Sequence, residues 1–144
     1  MIDIQSARVN TAGAYVCING LYLFAIGTRP HNGRISVIRL GGHREEHETG
    51  WQCAVREVYE KASLRIKPLV PQITYLSDRD PIGTKLEIRW QHEAGQECIP
   101  LLVVAYRRED RISLSLMYLA QAEGLATPSS EIKGLLLLKK EKYL

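Results

Sequence analysis

The stretch from Gly41 to Leu64 concentrates the chemistry-bearing side chains of the sequence, among them Arg56, Glu57 and Glu60. On a helix, carboxylates at i and i+3 project from adjacent turns on one side and can share a hard, oxygen-seeking cation such as Mg²⁺. Upstream, Gly41-Gly42 would let backbone carbonyls approach such an ion, and Glu48 stands between the glycines and the helix. The plainer alternative is surface pairing at i,i+4, Glu57 with Lys61 and Arg56 with Glu60, worth roughly 0.3 kcal/mol each.

These residues need a loop and a helix to position them. Thr49 with Gln52 three residues later fits a capping box, so the helix is expected to begin near Gly50. At 3.6 residues per turn, Trp51, Val55, Val58 and Ala62 fall within about 60° of one another and predict the buried stripe. Arg56, Glu57, Glu60 and Lys61 take the other side.

The spacing G-x5-E-x7-R-E-U-x-E, where U is a bulky aliphatic, is carried by Gly42, Glu48, Arg56, Glu57, Val58 and Glu60, with Leu64 closing it. It resembles the Nudix box of the Nudix hydrolases. The resemblance implies an α+β fold, an α/β/α sandwich on a mixed sheet with a loop-helix-loop, and metal-assisted hydrolysis of a nucleoside diphosphate linked to another group. It further implies Mg²⁺ or Mn²⁺ held by Glu57, Glu60 and the Gly42 backbone. Glu57 would orient the attacking water beside Arg56, and Glu48 would anchor the loop through Arg56. Glu131 sits where many such domains place a distant metal-binding carboxylate, with a solvated acid as the plainer reading. Two positions depart from the pattern. Lys61 replaces a metal-binding glutamate, and Ser63 replaces the glycine that ends the helix in a left-handed conformation, at a strain on the order of 1 kcal/mol. Lys61 therefore separates an active hydrolase, slow or altered in its metal use, from a Nudix-like module that binds a nucleotide without cleaving it.

A rival motif overlaps the loop. His43-Arg44-Glu45-Glu46-His47 fits H-x-x-E-H, whose histidines can hold zinc only one helical turn apart. Glycines on both sides oppose a helix, so loop histidines are expected. Arg29, Lys61 and the Asp78–Gly83 loop are candidates for substrate contact, with surface charge the plainer reading for Arg29 and the loop. Pro81, seventeen residues past Leu64, is a near miss to a spacing associated with ADP-ribose hydrolysis.

At 144 residues, with 45% of them hydrophobic, the chain predicts a single domain, 1–144, around one core. A net charge of +3 with interspersed signs points away from nucleic-acid and membrane surfaces and leaves a small nucleotide as the expected partner. Cys17, Cys53 and Cys98, odd in number and widely spaced, are expected as reduced thiols in a cytoplasmic protein. The longest apolar run, Cys98 to Tyr106, is far short of the roughly 20 residues that cross a bilayer as a helix.

In order along the chain, strands are expected at 12–18 and 21–26 around an Asn19-Gly20 hairpin turn, then at 35–40, 72–77 and 86–90. Further strands are expected at 99–106, 112–120 and 132–138. A second helix, usual after the last strand in the Nudix sandwich, has only 139–144 to draw on, so it is short or missing. A second copy of the chain, a helix misread upstream, or sequence beyond this chain would then cover that sheet face.

Overall fold

The computed structural model describes residues 7–29, 33–78, 84–91 and 98–139. Among these are ten strands and one helix. The strands are β1 (Arg8–Ile18), β2 (Leu21–Arg29), β3 (Arg34–Ile38), β4 (Leu40–His43), β5 (Lys67–Pro68), β6 (Thr74–Asp78), β7 (Thr84–Ile88), β8 (Leu102–Arg108), β9 (Arg111–Gln121) and β10 (Gly134–Leu138). The helix, α1, spans Gly50–Ala62.

The strands form one sheet in the order β10-β2-β1-β9-β8-β6-β7, with β3 on β2, β4 on β1 and β5 on β9. Parallel pairing of β1 with β9 and of β6 with β8, among otherwise antiparallel ladders, makes it the mixed sheet of an α+β fold. The β1–β2 turn is set by Asn19 and Gly20, both at positive φ (49° and 80°), the signature of a type I′ hairpin.

The first two strands are longer than their apolar pattern predicts. Arg8 pairs with Ser113 and Arg29 with Arg34, so backbone pairing carries both strands past their hydrophobic runs. The expected strand at 35–40 is two strands. β3 pairs with β2, the chain turns at Arg39, and β4 pairs with β1, registering Gly41 on Gly13 and Gly42 on Ala12. The break is a change of partner, which no local pattern encodes.

Ala12, Ala14 and Val16 of β1 and Leu114, Leu116, Tyr118 and Ala120 of β9 are fully buried. They form the face on which α1 lies, with Trp51 and Tyr118 in edge-to-face contact at 5.4 Å between ring centroids. Gly50, the first helical residue, packs so closely on β9 that an added Cβ would stand 2.8 Å from the Tyr118 hydroxyl. The helix stripe differs from expectation: Cys53, Ala54 and Glu57 are buried, while Val55 is only partly so.

Among the described residues α1 is the only helix, and no helix is long and apolar enough to cross a membrane. The opposite sheet face lacks a helical layer within the described residues. The expected turn at 92–95, Pro81 and most of the Asp78–Gly83 loop lie outside those residues. The three cysteines are free thiols.

Candidate active site

The site is built where the β4–α1 loop meets the helix. Thr49 caps α1 as expected: its hydroxyl accepts from the Gln52 N–H at 3.2 Å, and the Gln52 side chain accepts from the Thr49 N–H at 2.9 Å. At the other end Ser63 is left-handed (φ 58°, ψ 30°) and its N–H bonds to the Tyr59 carbonyl. The glycine substitute is thus accommodated in the geometry expected of it.

Arg56 organises the loop. Its guanidinium grips Glu48 through two bonds, Nε to Oε2 at 2.7 Å and Nη2 to Oε1 at 2.9 Å, while Nη2 also donates to the His43 carbonyl at 2.9 Å. Glu48 in turn accepts from the Glu45 N–H at 2.9 Å. Arg44, which sequence reasoning overlooked, wraps the same loop by donating to the carbonyls of Val9, Glu45, Glu46 and Glu48. Its signal, a basic residue inside a loop whose carbonyls need donors, is visible only once the loop is closed.

These bonds hold the Glu48 carboxyl below its ordinary range, chiefly through hydrogen bonds from Arg56, and push the Arg56 guanidinium up. A carboxylate with a depressed folded pKa contributes stability that is present above its unfolded value, about 4.3, and lost as pH falls through the folded value. Glu48→Gln is therefore expected to cost about 1 to 3 kcal/mol at pH 7. The difference from wild type should narrow below about pH 4. Urea unfolding of both proteins at pH 7 and pH 3 checks this; an equal gap at both values would contradict it.

Glu57 is buried, 7% exposed, and lies against Gly42 so closely that any Cβ there would collide with its carboxylate. The helical wheel alone puts Glu57 on the polar side; the missing side chain at Gly42 is what makes room for it under the loop. Its carboxylate is paired twice, with Lys61 Nζ at 2.9 Å and Arg56 Nη1 at 3.4 Å. Glu60, more exposed, pairs with Arg56 at 3.3 Å. Glu131 is carried in from the β9–β10 loop, which docks on the end of α1 through Thr127 and Ser129 N–H groups donating to the Ala62 and Lys61 carbonyls. There its carboxylate lies 3.7 Å from Lys61 Nζ.

Gly42, Glu48, Arg56, Glu57, Glu60, Lys61 and Glu131 are thus brought to one place. The side chain of Arg29 lies outside those described. His43 closes β4 and His47 sits in a turn, so the two are not on a helix as the zinc motif demands. Cys53, beneath the loop, is no nucleophile at neutral pH because burial pushes its thiol up to about 11.

Glu57, Glu60, Glu131 and the Gly42 carbonyl are hard oxygen donors of the kind Mg²⁺ and Mn²⁺ take. Glu57 and Glu131 converge on a single positive charge, and the charge between them is the chain's own ammonium. The donor set therefore fits a divalent cation in kind, with Lys61 standing in its place. Among the described residues no three His, Cys, Asp or Glu side chains stand close enough together to hold a metal ion.

A mixed sheet, with one capped helix entered through the loop that follows β4 and bearing Glu57 and Glu60, is the fold of the Nudix hydrolases. A hydrolase of the Nudix family from Clostridium perfringens shares it, with a TM-score of 0.59 over 93% of this chain and 82% of that one, at 22% identity. An Ap4A hydrolase from C. elegans matches at a TM-score of 0.54 over 92% and 81%, with 16% identity. A MutT protein from Methanosarcina mazei Go1 matches at 0.57 over 97% and 83%, with 12% identity. No family model matches the sequence, and no curated protein matches it.

Proposed function

We propose that the chain is a Nudix-type hydrolase that cleaves the phosphoanhydride of a nucleoside diphosphate linked to a further group, with Mg²⁺ or Mn²⁺ as cofactor and a slow turnover. The observation that supports this most is the chain of ion pairs running through the buried Glu57, which shares Arg56 with Glu60 and Lys61 with Glu131 beside Gly42. Neighbours of the same fold include an Ap4A hydrolase, which agrees with a phosphoanhydride substrate.

In this reading Glu57, Glu60, Glu131 and the Gly42 carbonyl would hold the ion, which when bound supplies charge neutralisation and Lewis acidity toward a phosphoryl oxygen. The chain's own residues do the rest. Arg56, locked by Glu48, fixes the loop against the helix and holds Glu57 in place, and Glu57 accepts a proton from the attacking water. Lys61, already between two carboxylates, is positioned to donate to a substrate phosphate. Incubating the protein with nucleoside diphosphate derivatives and either metal, with formation of the nucleoside monophosphate as readout, tests the reading; no turnover of any of them would contradict it.

That outcome would favour the second reading, a nucleotide-binding module without hydrolysis. Its support is specific: Lys61 already neutralises Glu57 and Glu131.

We further expect a homodimer. Ile35 and Val37 on β3 are 72% and 51% exposed, and Tyr75 and Leu86 on β6 and β7 are also open to solvent. Such apolar surface on a sheet without a second helical layer among the described residues favours association with a second copy. Light scattering at micromolar concentration should give about twice the 16.3 kDa chain mass; a monomer would contradict it.

A further inference from the structure

Arg39 sits at the turn between β3 and β4 on the sheet face opposite α1. The orientation follows from register: Ala12 and Ala14 face the helix, so Thr11, Gly13 and Tyr15 face away, and Gly41 pairs with Gly13. Both glycines serve as a floor. A Cβ on Gly41 would collide with Arg39 Nη1, and one on Gly13 would come within 3.0 Å of it. The guanidinium therefore lies flat across two strands where any side chain would lift it off.

It is poorly partnered for a half-buried charge. Nη2 donates to Ser115 Oγ at 2.9 Å, and that oxygen also accepts from Thr11 Oγ1 at 2.7 Å. Among the described residues no carboxylate lies within ion-pair distance of it, and one of its five N–H groups has a hydrogen-bond acceptor. Burial pushes the guanidinium pKa down, and the only acidic groups that oppose this are Tyr15, Cys53, Tyr106 and Glu57, none within bonding distance. Burying a cation without its counter-charge is costly. Arg44 and Arg56, by contrast, each donate to several carboxylate or carbonyl acceptors.

We propose that Arg39, with Ser115 behind it, is a binding site for an oxyanion, a phosphate group, on the sheet face away from Glu57. A guanidinium fork matches two oxygens of such a group, and Tyr15 stands on the same sheet face by register. The site stands on this geometry whether or not the chain hydrolyses anything, so its test uses neither metal nor turnover.

The test is a titration of the ¹⁵N-labelled full chain, free of metal, with inorganic phosphate and separately with adenosine diphosphate, followed by NMR. Phosphate is expected to move the Gly13, Gly41 and Ser115 amide signals saturably, and Arg39→Gln should weaken that binding at least tenfold. Arg39→Lys keeps the charge but not the fork and should lie between the two, which provides a folded comparison if the glutamine variant is unstable. An equal loss with the nucleotide would identify the anion as part of a nucleotide ligand. Loss with phosphate alone would identify it as a free oxyanion. Unmoved signals at those three residues, or an arginine-free variant that titrates like wild type, would overturn the site.

Discussion

Glu57→Gln is expected to lower any hydrolysis by roughly 10³-fold, the range associated with removing a general base, while leaving the fold intact. Glutamine keeps the volume that fits under Gly42, and its single amide oxygen can still accept from one of Lys61 and Arg56, so the packing that buries position 57 survives. What is lost is the negative charge on which both a metal ion and a proton from water depend. Steady-state turnover at saturating Mg²⁺, with circular dichroism as the control for folding, measures it. Unchanged turnover in a folded variant would remove Glu57 from the chemistry.

The second large effect concerns Lys61. An ammonium about 5 Å from a divalent ion opposes it by roughly 5 to 7 kcal/mol at an effective dielectric near 20, an upper limit because the side chain can swing aside. Lys61→Glu removes that opposition and turns a resident cation into a third acidic neighbour of Glu57 and Glu131. Without metal the variant should be less stable than wild type, since Glu57 and Glu131 lose their shared partner. Added Mg²⁺ or Mn²⁺ should then raise its melting temperature in a concentration-dependent way, as binding to the folded state requires. Calorimetric titration should show binding at least tenfold tighter than in wild type, and hydrolysis should rise or appear. If wild type already binds metal tightly and the substitution lowers turnover, Lys61 is a working part of the site and the non-hydrolysing reading is wrong.

Sequence and structure agree best where the determinants are local. The Asn19-Gly20 turn, the Thr49–Gln52 box and the left-handed Ser63 each depend on a few neighbouring residues, and each has the conformation its residue types favour. The mixed sheet behind them follows from strand patterns and from the resemblance carried by the loop and helix. Disagreement arises where a distant element decides. Ile35 to Leu40 reads as one strand because Ile35, Val37 and Ile38 favour one and no turn residue interrupts it, yet β2 and β1 claim different halves of it. Glu57 looks polar-facing on a helical wheel, and only the contact with Gly42, fifteen positions earlier, explains its burial. Arg39 drew no attention because a lone arginine ending an apolar run looks like a strand terminus. Its meaning comes from the glycines of two strands meeting beneath it.

The parallel ladder between β1 and β9 has a consequence for how the molecule comes into being. Thr11 and Ser115, neighbours across that ladder, are 104 residues apart in the chain. The β1–β2 hairpin and α1 can form from nearby contacts, but closing so long a loop is entropically slow, and chains dominated by such pairings fold in about milliseconds to seconds rather than microseconds. Gly50 takes its seat on Leu116 and Tyr118 of β9, so the helix that bears Arg56, Glu57 and Glu60 has no final resting place until β9 lies along β1. Glu131 arrives later still, on the segment that follows β9. In a refolding experiment native secondary structure should therefore return before the carboxylates are gathered, and any capacity to bind a ligand there is among the last properties the chain acquires.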